Sequence, residues 1–307
     1  MREGEVRRVA VVVLGSINLD LIARIERVPG PGETCLAEAF QTSPGGKGAN
    51  QALAARRLGA PTHLLGMVGD DAFAMQALRY LRQDGVDLSR IAISKERSTG
   101  LALIGVEPNG QNAITVVPGA NSAVGTEVLT DLARTLTARD ILVLQCEIPL
   151  EVVERAMMMA REIGARVLWD PAPARARFPK SLFRADIVAP NQGEAEMILG
   201  MDIPDVRAAK NAARQLRTFG AQVGIVKLGE QGVVWSTARG LFYLPAEQVE
   251  AIDTVGAGDA FAGALAARLD AGASIGDAIR TANRAAAAST TRVGAQASFV
   301  WAREVGL

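Results

Sequence analysis

Continuously apolar runs alternate with helical patterns along most of this 307-residue chain. The first run, residues 8–14, is rich in valine and lacks polar alternation, which is typical of a strand covered on both faces in a parallel sheet. Further strands are predicted at 62–68, 141–145, 166–169, 187–189, 223–228 and 232–236, and helices at 45–58, 71–83, 126–137, 151–163, 194–199, 205–219, 258–270 and 275–289. Such alternation predicts an α/β fold with a doubly wound, mostly parallel, Rossmann-like three-layer sheet.

Two stretches interrupt this alternation. Residues 15–44 are mixed in character, contain Pro29-Gly-Pro-Gly and show no helical stripe, which predicts extended structure leaving the main sheet. Residues 101–106 and 113–117 have a β pattern and are joined by Pro108-Asn109-Gly110, a strong hairpin signal. We expect one domain spanning residues 1–307, with a small β-sheet lid formed by about 18–43 and 99–118.

Composition excludes several classes of protein. The chain has 33 basic and 33 acidic residues, so no long-range field favours nucleic acid or an anionic membrane as a partner. No apolar run reaches membrane-spanning length. The two cysteines, Cys35 and Cys146, do not form a disulfide framework, and a cytoplasmic location is expected. With His63 as the only histidine, a His-based triad or multi-His metal site is disfavoured.

The stretch D-T-V-G-A-G-D-A-F at 253–261 combines a small-residue turn with a predicted helix start. A helix start attracts anions, and glycines at 256 and 258 let an anion approach the backbone. Asp259 would repel such an anion unless it removes a proton from an attacking hydroxyl while the turn holds a transferring phosphoryl group. The simpler alternative is an acid that stabilises its own helix by up to ~1 kcal/mol.

Polar residues also follow the predicted strands, where doubly wound sheets bind ligands. They are Asn18, Asp20, Glu147, Asp170, Asn191 and Glu194. Such a ring suits a polyhydroxylated ligand on one side and a nucleotide phosphate on the other. Each has a simpler alternative; Asn191 and Glu194, for example, have the spacing of a capping box. The stretch G-G-K-G-A-N at 45–50 has neither P-loop nor dinucleotide order and suits close approach of a neutral sugar.

Eight motifs together carry a resemblance to a known family. They are G-S-I-N-L-D (15–20), P-G-E-T (31–34), G-G-K-G-A-N-Q-A (45–52), S-T-G-L-A-L-I (98–104), D-P-A-P-A-R (170–175), P-N-Q-G-E-A-E (190–196), D-T-V-G-A-G-D-A-F (253–261) and T-R-V-G-A-Q-A-S (291–298). In this order they resemble the ribokinase (PfkB-type) family of carbohydrate kinases over nearly the whole chain. The resemblance implies a ribokinase-like sheet whose β lid often forms a dimer contact, and a homodimer is expected.

The resemblance also implies an activity and its residues. The activity is ATP-dependent phosphorylation of the 5-hydroxyl of ribose, with Asp259 as base and the backbone of Gly256, Ala257 and Gly258 as anion hole. The sugar pocket would comprise Asn18, Asp20, Gly46, Lys47, Asn50 and Glu147, and the ATP site Asn191, Lys227, Gly229, Gly232, Gly258 and Asn283. Glu194 would hold Mg²⁺ through water, and a monovalent cation, expected to be K⁺, would lie among Asp253, Val255, Ser289, Arg292, Gly294 and Ser298.

Some positions depart from the family pattern and leave the sugar open. Asp170 stands where Asn is more usual, Lys227 where Thr is common, and Ser43-Pro44 precedes the double glycine. Lys227 either adds a phosphate contact or is a solvated side chain. Alternative substrates are 2-deoxyribose, a nucleoside or a ketohexose, and a non-catalytic sugar- or nucleotide-binding regulator is a further alternative. A dinucleotide oxidoreductase is disfavoured because no fingerprint follows the first strand.

Overall fold

The computed structural model of the protein describes residues 10–108 and 111–307. The predicted start of the first strand, residues 8 and 9, lies outside the described residues, as do Asn109 and Gly110 of the predicted hairpin turn. No helix in the described ranges has both the length and the apolar character needed to cross a bilayer.

The described residues form thirteen strands and nine α-helices. The strands are β1 (Val11–Leu14), β2 (Asn18–Ile25), β3 (Ala37–Gly45), β4 (Thr62–Gly69), β5 (Ile91–Ser94), β6 (Gly100–Val106), β7 (Asn112–Val117), β8 (Ile141–Leu144), β9 (Arg166–Trp169), β10 (Ile187–Val188), β11 (Val223–Lys227), β12 (Val233–Thr237) and β13 (Gly240–Leu244). The helices are α1 (Lys47–Arg57), α2 (Ala72–Ala77), α3 (Arg79–Gln83), α4 (Thr126–Thr135), α5 (Leu150–Ile163), α6 (Gln192–Leu199), α7 (Val206–Thr218), α8 (Ala257–Asp270) and α9 (Ile275–Ser289).

A nine-stranded sheet forms the centre of the molecule, in the order β13-β12-β11-β10-β9-β8-β1-β4-β5. The strands from β11 through β5 are parallel, and β12 and β13 add an antiparallel hairpin at one end. Because all the parallel strands end at the same edge, the loops that follow them meet there.

Strand β1 shows how the layers form. Its four residues are fully buried, and successive side chains point to opposite faces of the sheet. Val11 and Val13 pack in one core with α1, α8 and α9, whereas Val12 and Leu14 pack in a second core with α4, α5 and α7. The sheet is therefore covered on both faces, which confirms the predicted three-layer, doubly wound fold.

A separate four-stranded sheet has the order β3-β2-β6-β7. Strands β2 and β6 are parallel, and the two outer pairs are antiparallel. We call these four strands the small sheet. They lie in or next to the two stretches from which the lid is expected. Asn18 pairs with both Gly45 and Gly100, which places its side chain where the small sheet joins the main body.

The structure differs from the predicted elements in three places. The helix expected at 71–83 is two helices separated at Leu78, whose ψ of 2° interrupts the helical path. Strands β5 and β13 were not predicted. They have four and five residues and lie at the two ends of the large sheet, where part of each strand is exposed, and their apolar runs, 91–93 and 241–244, are short.

Helices α1 and α8 pack so closely that their backbones touch. A Cβ atom at Gly263 of α8 would lie 2.5 Å from the backbone oxygen of Gln51 and 2.6 Å from Cβ of Ala54. Such distances are shorter than van der Waals contact, so only glycine fits at residue 263. The close approach brings Asn50 and Gln51 of α1 to the first turn of α8.

We predict that Gly263→Ala destabilises the protein by roughly 1–3 kcal/mol, because the added methyl group forces two packed helices apart. The free energy of unfolding from urea titration measures the effect. Gly276→Ala in α9 is the matched control, since a Cβ there meets nothing closer than Ser274 Oγ at 4.0 Å. The control should be neutral or stabilising by up to ~1 kcal/mol. Equal stability of the two variants would contradict this account of the helix contact.

Candidate active site

Asp259 lies in the first turn of α8 and is 5% exposed. Its Oδ2 accepts a hydrogen bond from Nδ2 of Asn50 at 2.9 Å, and its Oδ1 accepts one from Nε2 of Gln51 at 3.0 Å. Each carboxylate oxygen therefore has an amide donor from α1. These two bonds fix the plane of the carboxyl group. Burial raises the pKa of Asp259, although the nearby Lys47 and the two amide donors oppose the shift.

The residues expected to form the anion hole lie directly before and within this turn. Gly256 caps α8 with a left-handed φ of 81°, and a Cβ there would lie 2.8 Å from Cβ of Ala295. The first N–H groups of a helix carry a partial positive charge. One of the three expected donors, the N–H of Ala257, bonds to the carbonyl oxygen of Thr254 at 3.2 Å and would have to exchange that bond for an anion.

Lysines add positive charge at the same place. A Cβ at Gly258 would lie 3.5 Å from Nζ of Lys227, so this ammonium lies next to the start of α8. The carboxylate of Asp259 is the main cause that raises the pKa of Lys47, at the first position of α1. The start of α8 is therefore flanked by two cationic side chains.

Asp20 lies on β2, opposite Ser43 of β3, and its carboxyl group lies against Gly45. A Cβ at Gly45 would lie 2.5 Å from either Asp20 carboxylate oxygen, so the absence of a side chain at residue 45 makes room for the carboxyl group. Burial raises the pKa of Asp20 to about 7, and the charges of Glu147 and Asp259 add to the shift. Asp20 therefore changes protonation near neutral pH.

The other expected sugar-pocket residues surround Asp20. Nδ2 of Asn121 donates to Oδ1 of Asn18 at 2.7 Å. Oε2 of Glu147 accepts from Oγ of Ser16 at 2.6 Å and from the backbone N–H of Lys47 at 3.2 Å. Gly46 caps α1 and lies against the backbone of residues 16–18. All the residues expected to bind sugar thus converge between the small sheet and the starts of α1 and α8.

Two of the six residues expected to bind nucleotide border one groove of about 410 Å³. Gly229 and Asn283 line it together with Thr254 and Ala257, which lie beside the start of α8. Nδ2 of Asn283 donates to the carbonyl oxygen of Pro245 at 2.9 Å. Gly232 is not part of this groove; a Cβ there would point into the backbone of residues 244–246.

Asn191 and Glu194 form the capping box that was the simpler alternative. Oδ1 of Asn191 accepts the N–H of Glu194 at 2.8 Å, and Oε2 of Glu194 accepts the N–H of Asn191 at 2.7 Å. Burial raises the pKa of Glu194, Lys227 opposes the shift and Asp170 adds to it. Glu194 therefore caps α6 and also lies within the electrostatic reach of Lys227 and Asp170.

The residues expected to hold a monovalent cation lie in the loop before α8, at the last residue of α9 and in the loop after α9. Oδ1 of Asp253 accepts the N–H of Val255 at 3.0 Å, and Oδ2 accepts the N–H of Gly294 at 2.8 Å. Ser289 and Ser298 are buried, and their hydroxyls donate to the carbonyl oxygens of Ala286 and Ala295. The Arg292 side chain pairs with Glu304 at 2.5 Å. Asp253 thus joins the loop before α8 to the loop after α9.

Sequence reasoning missed a set of buried amides and a hydroxyl that position the expected residues: Ser16, Gln51, Asn121, Gln145 and Gln296. Nε2 of Gln145 donates to Oε1 of Gln51 at 2.7 Å, and Nε2 of Gln296 donates to Oδ1 of Asn50 at 3.0 Å. The signal available was Asn50-Gln51 in an alanine-rich helix, where two amides fall among apolar positions. Buried amides need hydrogen-bond partners, so their presence there indicates a polar site.

A doubly wound sheet with acids, amides and lysines at the carboxyl edge of its strands is the arrangement expected of a small-molecule kinase. The model of the pfkB family of carbohydrate kinases matches residues 9–302. The chain therefore belongs to this family, and it is an ATP-dependent carbohydrate kinase.

Individual relatives agree over nearly the whole chain. It is 36% identical to the ribokinase of Haemophilus influenzae over 95% of both chains. It is 37% identical to the deoxyribokinase of Salmonella typhimurium, over 94% of this chain and 95% of the relative. Among solved structures, it is similar to Arabidopsis thaliana ribokinase complexed with ribose and ATP, with a TM-score of 0.89 and 29% identity over 97% of this chain and 98% of that one.

We predict that Asp20→Asn stabilises the sugar-free protein more at pH 8 than at pH 5. The folded-state pKa of Asp20 is about 7 and its ordinary value is 3.8, so the folded state loses stability from this group as pH rises between them. Allowing for solvent screening, the stabilising effect of the substitution should be roughly 1–2 kcal/mol larger at pH 8. Urea titrations at both pH values measure it.

Glu38→Gln is the control, because Glu38 is exposed on β3 of the same small sheet. It should change stability equally at both pH values. A pH-independent effect of Asp20→Asn would show that Asp20 is ionised throughout this range.

Proposed function

We propose that the protein transfers the γ-phosphoryl group of ATP to the 5-hydroxyl of D-ribose, giving ribose 5-phosphate. The observation that carries this proposal is the position of Asp259, fixed by two amides between a pocket of hydroxyl-binding groups and a cationic helix start. The similarity to ribokinases over nearly the whole chain supports ribose as the sugar.

In this mechanism Asp259 accepts the proton of the 5-hydroxyl as the new oxygen–phosphorus bond forms and ADP leaves. Asn18, Asp20 and Glu147 would bind the remaining hydroxyls and orient the sugar. The N–H groups at the start of α8 would bind the oxygens of the transferring group. Phosphoryl transfer needs little covalent help from a protein, so positioning and charge stabilisation would provide most of the rate enhancement.

The chain's oxygen donors fit two metal ions. Among the described residues there is no cluster of three or more His, Cys, Asp or Glu side chains that would form a metal cage. Glu194 is the one acid proposed to lie near the ATP phosphates. A single carboxylate suits a Mg²⁺ ion that binds together with ATP and keeps several water ligands. When bound, Mg²⁺ neutralises phosphate charge. Asp253, the two buried serines and neighbouring carbonyl oxygens are the hard donors that suit a monovalent cation such as K⁺.

We also propose that the small sheet acts as a lid within a single domain and that it forms a homodimer contact. Ile22, Ile104 and Ile114 lie side by side across three strands, on the same face as Asp20. Ile114 is 55% exposed, so an apolar row continues outward from the sugar pocket. A second copy of the chain would cover this apolar row.

ATP as co-substrate and two unpaired cysteines support a cytoplasmic location.

A second candidate substrate is 2-deoxyribose. The chain is as similar to a deoxyribokinase as to a ribokinase, at 37% and 36% identity. The two sugars differ only in the 2-hydroxyl, so the number of hydrogen-bond acceptors around that position would decide between them.

We predict that, in a panel of ribose, 2-deoxyribose, fructose and adenosine, ribose gives the highest kcat/KM with ATP. A coupled assay for ADP measures turnover, and analysis of the product locates the phosphate. A higher kcat/KM for 2-deoxyribose would establish the second candidate, and turnover of none of the four would contradict the proposal. Asp259→Asn is the control: it should lower kcat by roughly 10²-fold to 10⁴-fold while sugar binding is retained.

We predict that Ile114→Glu converts a dimer into a monomer, because a charge in the apolar row would have to be buried in the contact. Light scattering during size-exclusion chromatography measures the mass. Thr115→Glu is the matched control, since the neighbouring residue on the same strand points to the other face. A monomeric parent protein, or equal dissociation by both variants, would contradict a dimer through this face.

A further inference from the structure

One ion pair at the carboxyl edge of the large sheet has no role in the mechanism described so far. Nζ of Lys227 lies 2.9 Å from Oδ1 of Asp170, and the two side chains are 11% and 2% exposed. Lys227 ends β11 and Asp170 follows β9, with β10 between them. Buried ion pairs are weak sources of stability because both charges lose their hydration. The burial of the Lys227–Asp170 pair at the carboxyl edge of the sheet therefore suggests a role in function.

The pair is connected to both halves of the site. Oδ2 of Asp170 accepts a hydrogen bond at 2.9 Å from Nε2 of Gln51, the same nitrogen that donates to Asp259. On its other side, the Lys227 ammonium lies 3.5 Å from where a Cβ of Gly258 would be. Asp170 thus holds an ammonium group beside the start of α8, one amide away from the proposed base.

The Lys227 ammonium has hydrogen-bond donors left for an anionic ligand. An ammonium has three N–H donors, and the bond to Asp170 uses one of them. Lys47 lies close by, and the start of α8 adds its own partial positive charge. The two ammonium groups and the start of α8 together provide positive charge and N–H donors beside Asp259, among the acids that surround the two lysines. A tetrahedral phosphoryl group beside Asp259 has the charge and the acceptor oxygens that match.

We propose that Lys227 contacts the phosphoryl group during transfer and that Asp170 is the positioning residue that holds Lys227 there. This inference rests on the proposed kinase activity. The alternative is a purely structural ion pair that never contacts the phosphate.

A double-mutant cycle separates the two. Lys227→Met and Asp170→Asn each remove one charge with little change in shape, and the double variant has the same total charge as the parent. Each single variant leaves a buried charge unpaired and should lower Tm by roughly 10 °C. The double variant should recover most of that loss. Its kcat for ribose should nonetheless stay roughly 10²-fold below the parent, because no ammonium faces the phosphoryl group.

A double variant whose Tm and kcat both return to parent values would overturn the proposal. Lys227→Arg covers the case of a double variant that does not fold, because it keeps the cation and the ion pair. It should retain a higher kcat than Lys227→Met at similar KM for ribose, and equal kcat in the two variants would also overturn the proposal. The parent enzyme's own turnover tests the kinase activity separately.

Binding measurements locate the contact along the nucleotide. Calorimetry should show that Lys227→Met binds AMP with parent affinity but binds ADP with aluminium fluoride and ribose at least roughly 10-fold more weakly. Parent-like affinity for the aluminium fluoride complex would show that Lys227 does not contact the transferring group. A matching loss for AMP would place its contact outside the phosphoryl group and overturn the proposal equally.

Discussion

Two hydrogen bonds between α1 and α8 organise the active site: those from the amides of Asn50 and Gln51 to the two oxygens of Asp259. They form only because Gly263 lets the two helix backbones touch. The glycine-rich start of α1 also places Gly46 and Lys47 beside the proposed sugar pocket. One helix contact therefore sets the geometry of the proposed base, sugar pocket and anion-binding turn. This contact is buried in a close-packed core and has little freedom to relax.

Charge is concentrated at the carboxyl edge of the sheet, where acids outnumber lysines. Asp20, Glu147, Asp170, Glu194 and Asp259 lie around Lys47 and Lys227, and burial raises the pKa of three of these acids. Such a cluster costs stability in the ligand-free protein, because acids crowded together in a low-dielectric space disfavour their charged forms. The whole chain is neutral, with 33 charges of each sign. The excess of acidic residues at the site is therefore local and does not reflect the composition of the chain.

The sequence predicted the strands of the large sheet well, because a strand buried on both faces leaves an uninterrupted apolar run, as in β1. It also indicated Asp259 and the glycines around it as candidate site residues, because an acid is unusual within a small-residue turn that attracts anions. It did not reveal Gln51 or Asn121, whose partners are 94 to 208 residues distant in the chain and become neighbours only in the fold. Nor did it reveal β5 and β13, which lie at partly exposed ends of the sheet and whose short apolar runs, 91–93 and 241–244, do not distinguish a strand from a loop.

Asp20 belongs to the small sheet, whereas Asp259, which helps to raise its pKa, belongs to α8. Any outward swing of the small sheet would therefore rehydrate Asp20, separate it from that charge and return its pKa toward an ordinary carboxyl value. Opening would release a proton near neutral pH, and by reciprocity acidification would favour the closed form. Opening and closing of the small sheet would thus be a proton-linked equilibrium, controlled by a residue that is also proposed to bind the sugar.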